Sequence, residues 1–329
     1  MAGCAIGCRI NMKSIREFIG ITVFILIITI SCNTASINPT ADTDTAANCW
    51  TGAGENQIPV DSIGNEIRYG RNLIAHTAQY LGPKGSVATI TNGMNCQNCH
   101  LDAGTKPWGN NYGSVASMYP RFRERSGTIE SIEKRINDCL QRSLHGKAID
   151  STSREMRAMV AYIQWLGAEV PKGKKVKGSG IQQLPYLQRA ADPLSGEKIY
   201  VSQCARCHGK QGEGQINLVG NEYTYPPLWG PNSYTTGAGL YRLSRLAGFV
   251  KNNMPNPVNY HQPQLSDAAA WDVAAFINSQ PRPGFDISSD WPDIKAKPVD
   301  HPFGPFADTF SERQHKFGPW KPSSTGKVN

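Results

Sequence analysis

Apolar residues return at helical spacing in several stretches of the chain, and polar, glycine-rich segments separate them. Ile63, Ile67, Leu73 and Ile74 predict a helix or broken helix early in a first domain that starts near Pro59. Ile129, Ile132, Ile136 and Cys139, at steps of three, four and three, predict a second helix with Thr128 as its N-cap and Cys139 on its buried face. Met156, Met159, Ile163 and Leu166 form the inward stripe of a helix over 155–166 that closes this domain. A second closing helix carries Trp271, Val273, Ala274, Phe276 and Ile277 behind Ser266 as its cap. Nearer the amino terminus, Lys13 and Arg16 precede a 12-residue apolar run over 19–30, which is short for a membrane span and has the form of a signal-peptide core.

These stretches divide the chain into a leader (1–31, with Met12 as an alternative start), a polar tether (32–56), a first domain (57–171), a lysine- and glycine-rich linker (172–190), a second domain (191–283) and a proline- and aromatic-rich tail (284–329). The linker reads as a solvated hinge, with docking of an acidic partner as the other use of its lysines. The tail reads as a segment that packs across both domains without forming a third.

Each domain contains one C-x-x-C-H motif, Cys96-Gln97-Asn98-Cys99-His100 and Cys204-Ala205-Arg206-Cys207-His208. Two thiols at this spacing can form thioethers with haem vinyl groups while the adjacent histidine becomes the proximal iron ligand. A zinc half-site wants a second ligand pair at regular spacing, and a redox-active C-x-x-C does not demand the following histidine. Cys96, Cys99, His100, Cys204, Cys207 and His208 therefore predict two covalently bound haem c groups, and the fold expected is mainly α: two class I cytochrome c-like domains with a long irregular C-terminal tail.

Composition adds direction. Among 329 residues, 34 basic against 26 acidic side chains leave a net charge of +8, which favours an anionic substrate or an acidic redox partner. No nucleic-acid-binding motif or clustered basic helix accompanies that charge. Of the nine cysteines, four belong to the haem motifs and leave Cys4, Cys8, Cys32, Cys49 and Cys139. Export puts these outside the cytoplasm. Thr29-Ile30-Ser31-Cys32 resembles a lipobox, so lipidation of Cys32 stands beside ordinary cleavage nearby.

The sixth iron ligands separate a catalyst from a carrier. Aligning the closing helices places Cys139 22 residues before Ala161 and Met254 21 residues before Ala275, so the two occupy equivalent positions. Met254, followed by Pro255, suits a thioether ligand of an electron-transfer haem. For the first iron, Met118, Met156, Met159 and His145 compete with Cys139. Met156 and Met159 lie on the packing stripe, whereas Cys139 has Arg135 at i−4, Arg142 at i+3 and Ser143 at i+4. Cationic neighbours favour a thiolate, the form that binds iron and attacks sulfur. An inert buried cysteine beside solvated arginines is the alternative.

Asn95 to Thr105, the run Arg135-Ile136-Asn137-Asp138-Cys139-Leu140-Gln141-Arg142-Ser143, Asn253-Met254-Pro255 and the tail motifs His301-Pro302-Phe303-Gly304-Pro305-Phe306 and Gln314-His315-Lys316-Phe317-Gly318-Pro319 together resemble the dihaem thiosulfate dehydrogenase (tetrathionate synthase) family. The resemblance covers nearly everything after the tether. It implies coupling of two thiosulfates to tetrathionate, or the reverse reduction, with a soluble or membrane-associated redox partner such as a small cytochrome. It also implies that His100 and Cys139 ligate a catalytic haem, that Arg125, Arg135 and Ser143 line an anion site, and that His208 and Met254 hold an electron-transfer haem. Some members place a lysine immediately before that methionine as an alternative ligand; here Asn253 stands there and Lys251 is displaced by two. A dihaem carrier without catalysis explains both haems but not the surroundings of residue 139. A dihaem peroxidase needs an open or readily vacated iron position, against two ligands per iron.

Overall fold

The computed structural model describes residues 49–320. The leader, Cys4, Cys8, Cys32 and most of the tether lie outside the described residues. Eleven helices are described: α1 (Ser62–Ala75), α2 (Thr77–Leu81), α3 (Leu101–Gly104), α4 (Val115–Met118), α5 (Ile132–Arg142), α6 (Arg154–Leu166), α7 (Pro193–Ile199), α8 (Ala205–His208), α9 (Leu243–Asn253), α10 (Asp267–Ser279) and α11 (Glu312–Phe317). Two small antiparallel hairpins join them, β1 (Arg121–Arg123) with β2 (Thr128–Glu130), and β3 (Gln215–Ile216) with β4 (Tyr223–Tyr225).

The two halves repeat one plan. In the first, α1 packs across the closing helix α6; in the second, α7 packs across α10. A glycine sits at each crossing. A Cβ on Gly70 would lie 1.9 Å from the Ala158 carbonyl oxygen, and one on Gly196 2.0 Å from that of Asp272, so only glycine lets the helix backbones meet. The starts are set by side chains that accept otherwise unpaired backbone N–H groups: Asp61 for α1, Ser131 for α5, Ser153 for α6, Asp192 for α7 and Ser266 for α10.

Thr128 does not cap α5 as its sequence suggested. It lies in β2, and Ser131 caps the helix by accepting from Lys134 N at 3.3 Å. Ile129 belongs to the hairpin and is 73 % exposed, so its fit to the helical spacing is incidental. The linker is exposed over 171–175, as expected, but it is held in place rather than hinged. Gly178 and Gly180 carbonyls accept from Trp108 N and Asn110 N, Ser179 is buried, and Leu184 joins the second core. Packing also begins within the expected tether, where Trp50 joins the first core and its N–H donates to the Lys177 carbonyl at 2.9 Å.

The halves share two apolar clusters. One joins Leu81, Met94, Leu140 and Leu144 to Tyr223; the other joins Tyr234, Tyr241 and Phe249 to Cys99, Leu101, Met254 and Phe303. Glu222 adds a polar latch, accepting from Gln79 Nε2 and Asn95 Nδ2 at 3.1 Å and lying 3.2 Å from His76 Nδ1. The tail touches both halves. Asp290 takes a bidentate ion pair from Arg142 at 2.7 Å and Trp291 N donates to the Arg125 carbonyl. Asp300 is buried against Arg242 and Ser244, and Trp320 packs with Trp271 and Tyr186.

Candidate functional site

Two apolar slots and one polar chamber meet around the motifs. The first slot, about 280 Å³, lies between His100 and Cys139 and is walled by Ile74, Met159, Ile163, Val115 and Leu144. The second, about 300 Å³, lies between His208 and Met254, with Leu246, Phe249, Val250, Val273 and Ile277 along its walls. Gln97, Asn98 and Cys99 of the first motif also form part of the second slot, so the two sites share a wall.

The histidines are prepared for a metal. His100 Nδ1–H donates to the Asn110 carbonyl at 2.5 Å, and His208 Nδ1–H to the Pro226 carbonyl at 2.8 Å. In each ring this leaves the Nε2 lone pair for an iron. Burial pushes His100 down to about 4 and lowers His208, so both rings are neutral at neutral pH. Tyr112 stacks on His100 with ring centres 4.6 Å apart and fixes its plane. Burial also raises Cys96 and Cys99 to about 12 and Cys204 to about 11, which keeps these thiols neutral. Apolar walls, paired thiols, an oriented imidazole and a further sulfur-bearing side chain in the same cavity fit haem c in both slots.

Cys139 differs from the motif cysteines. Arg135 Nη1 donates to its Sγ at 3.1 Å across one turn of α5. Interaction with Cys139 is the leading cause that raises Arg135 above the usual guanidinium range, against its burial. Arg142, expected as a second cation beside the thiol, turns away to Asp290 and stacks over Phe285. Arg125 is aimed by Asp138, which accepts from it at 2.7 Å and from Lys134 at 2.5 Å. Asp138 is buried, so a rigid acceptor positions the arginine.

The polar chamber, about 330 Å³, opens onto the edge of the first slot. Arg125, Arg135, Cys139 and Ser143 all line it, so the four residues expected at the catalytic site are brought to one cavity. The sequence reading missed Arg123, Lys175, Arg242, Arg245, Trp291 and His301, which line the same chamber from the hairpin, the linker, α9 and the tail. No periodic pattern links these segments; only the tail motif around His301 had drawn notice. At the second slot Met254 and Asn253 both line the cavity, whereas Lys251 is held at 2.8 Å by Asp267 and the Leu265 carbonyl.

Residues 86–171 match the family model described as SoxA/TsdA, cytochrome c domain, and residues 191–277 that of cytochrome C oxidase, cbb3-type, subunit III. Together they account for two covalently bound haem c groups. A thiosulfate dehydrogenase of Stutzerimonas stutzeri is 36 % identical over 229 residues, covering 70 % of this chain and 71 % of its own length. One from Allochromatium vinosum is 37 % identical over 232 residues, covering 69 % and 82 %. Among solved structures, the thiosulfate dehydrogenase TsdBA of Marichromatium purpuratum, in its as-isolated form, superposes with a TM-score of 0.67 at 30 % identity over 74 % of this chain. The match spans about half, 52 %, of that longer chain. With relatives this similar over most of their own length, and with a haem c slot in each half, the chain belongs to the thiosulfate dehydrogenase family.

Proposed function

We propose that this chain is a dihaem oxidoreductase that joins two thiosulfates through their sulfane sulfurs into tetrathionate and passes two electrons to an external acceptor, with the reverse reduction open to the same site. One S–S bond forms and each sulfane sulfur gives up one electron, so no proton or oxygen atom is exchanged. When bound, the two haems supply one-electron acceptors for this pair. His100 and Cys139 would hold the first iron, and His208 and Met254 the second.

The observation that carries the reading is the Arg135–Cys139 contact at 3.1 Å, where an apolar slot meets a cationic chamber. Thiosulfate is a dianion, and two of them approach only if fixed cations offset their repulsion. Arg125, aimed by Asp138, and Arg135 supply that charge, and the Ser143 hydroxyl adds a neutral donor. Two electrons leave as the Cys139 sulfur joins the sulfane sulfur of one thiosulfate in an S–S bond. The sulfane sulfur of the second thiosulfate then attacks the bound sulfane sulfur, which forms tetrathionate and releases the Cys139 thiolate as the leaving group. A carrier without catalysis has no use for such a chamber beside one of its two slots.

Covalent haem attachment and the apolar leader support a periplasmic or exported location, with lipidation of Cys32 as the proposed anchor. A small soluble or membrane-associated cytochrome is the proposed acceptor. The test is anaerobic addition of thiosulfate to the oxidised holoprotein. Both haem spectra should shift to the reduced form, with one tetrathionate produced per two electrons. Spectra that stay oxidised would exclude the activity.

A further inference from the structure

The chamber extends beyond what one thiosulfate needs. Arg125, Arg135 and Ser143 line it near Cys139, while Arg245 of α9 and Trp291 and His301 of the tail line it elsewhere. His301 is 9 % exposed and its Nδ1 is buried without a hydrogen-bond partner among the described residues. Trp291 Nε1–H is a buried donor in the same condition. Native proteins rarely leave such groups unsatisfied, and a ligand is one reason they do. Arg242 is closed off by Asp300, but the Arg245 guanidinium makes no hydrogen bond among the described residues. Burial first, and then Arg242, disfavour the Arg245 charge; Asp300 offsets part of this, and Arg123 from the first domain adds to the repulsion. An anion between them would relieve it.

We propose that Arg245, Trp291 and His301 form a second oxyanion subsite, which holds the sulfonate of the second thiosulfate while the first lies against Arg125, Arg135 and Ser143. The inference rests on the thiosulfate reading and extends it. A guanidinium with two uncharged ring nitrogens matches a tetrahedral oxyanion, which can accept several hydrogen bonds at once. Burial and Lys297 hold His301 down to about 4 against an opposing backbone contact with Phe303, so its ring is neutral with a single N–H, which serves the subsite in the tautomer that carries it on Nδ1 while Arg245 supplies the charge. Separate donor sets from different segments of the chamber lining would give each sulfonate its own partners and leave the sulfane sulfurs free to meet at Cys139. A carboxylate of the first haem is the other source of the same oxyanion chemistry.

The experiment uses fully reduced holoprotein under argon, which can bind thiosulfate but has nowhere to put its electrons. Calorimetric titration should give two thiosulfates per chain. Arg245→Gln and Trp291→Phe should each keep one binding event and weaken the other by roughly 10- to 100-fold, with the midpoint potential of the first haem unchanged. Trp291→Phe removes the indole N–H and shortens the ring system while keeping an aromatic side chain, and parental haem content and Tm in both variants guard against a folding artefact. Two parental affinities in both variants would overturn the inference. So would a single binding event in the parent protein, or a shifted first-haem potential with both events intact, which assigns the cluster to a haem carboxylate. No binding by the parent would instead overturn the thiosulfate reading itself.

Discussion

Replacing Cys139 should separate turnover from haem attachment. The residue lies inside α5, where glycine costs about 1 kcal/mol relative to alanine, and its loss removes the hydrogen bond from Arg135. A bond to a charged group contributes about 1.5–3 kcal/mol. Because the side chain is only partly buried, little packing is lost, and the cost for Cys139→Gly is about 2.5–4 kcal/mol. That is below a typical domain stability of about 5–15 kcal/mol, so the variant should fold, and Cys139→Ala should recover the helix part of the loss. Both variants retain Cys96, Cys99, Cys204 and Cys207, so a pyridine haemochrome assay should still find two haems per chain. Thiosulfate turnover, measured as tetrathionate formed, should fall by about 10³-fold or more, as for loss of a group on which a covalent mechanism depends. Full haem content with parental turnover in Cys139→Ala would refute the assignment and favour an electron carrier.

Met254→Ala should keep both haems attached and lower the potential of the second, because thioether ligation raises it; potentiometric titration that finds no change would remove Met254 as a ligand. Arg135→Ala should raise the KM for thiosulfate without releasing haem, since it removes charge beside the sulfur but no iron ligand, and steady-state kinetics with haem quantification reads both. Asp300→Asn should cost about 3–5 kcal/mol by leaving Arg242 buried without its anion, seen as a lower Tm in scanning calorimetry; an unchanged Tm would mean that the tail is not clamped there. Burial pushes Asp300 up, but Arg242 and Ser244 outweigh it and hold it below the usual carboxylate range; Asp138 is likewise lowered, by Lys134 and Arg125 against its burial. Folded-state values below the unfolded one of about 3.9 mean that this stability is fully present above that pH and is lost as pH falls through the folded values. Urea midpoints should therefore hold from neutral pH to about pH 4 and then drop, more gently in Asp300→Asn.

What was legible in the sequence was local. The closing helices read as 155–166 and behind Ser266 are α6 and α10, because an apolar stripe and a capping hydroxyl are both written within a few turns. The equivalence of Cys139 and Met254 came from chain order alone, and each lines the same slot as its motif histidine. Thr128 misled because a short hairpin before α5 carries an isoleucine at helical phase, and three residues per strand show no alternation to betray it. The missed lining residues are a different failure. Arg123, Arg245 and His301 are far apart in the chain and meet only because the tail folds back over both halves.

That fold-back bears on how the molecule is made. Trp291 and His301 follow both cysteine pairs in chain order, so a polypeptide crossing the membrane amino end first delivers each pair before the segment that covers the chamber. Haem can be attached while the cavity is still unroofed. The tail is then the last part of the chamber wall to arrive, since Trp291, His301 and Pro302 come after every other lining residue in chain order.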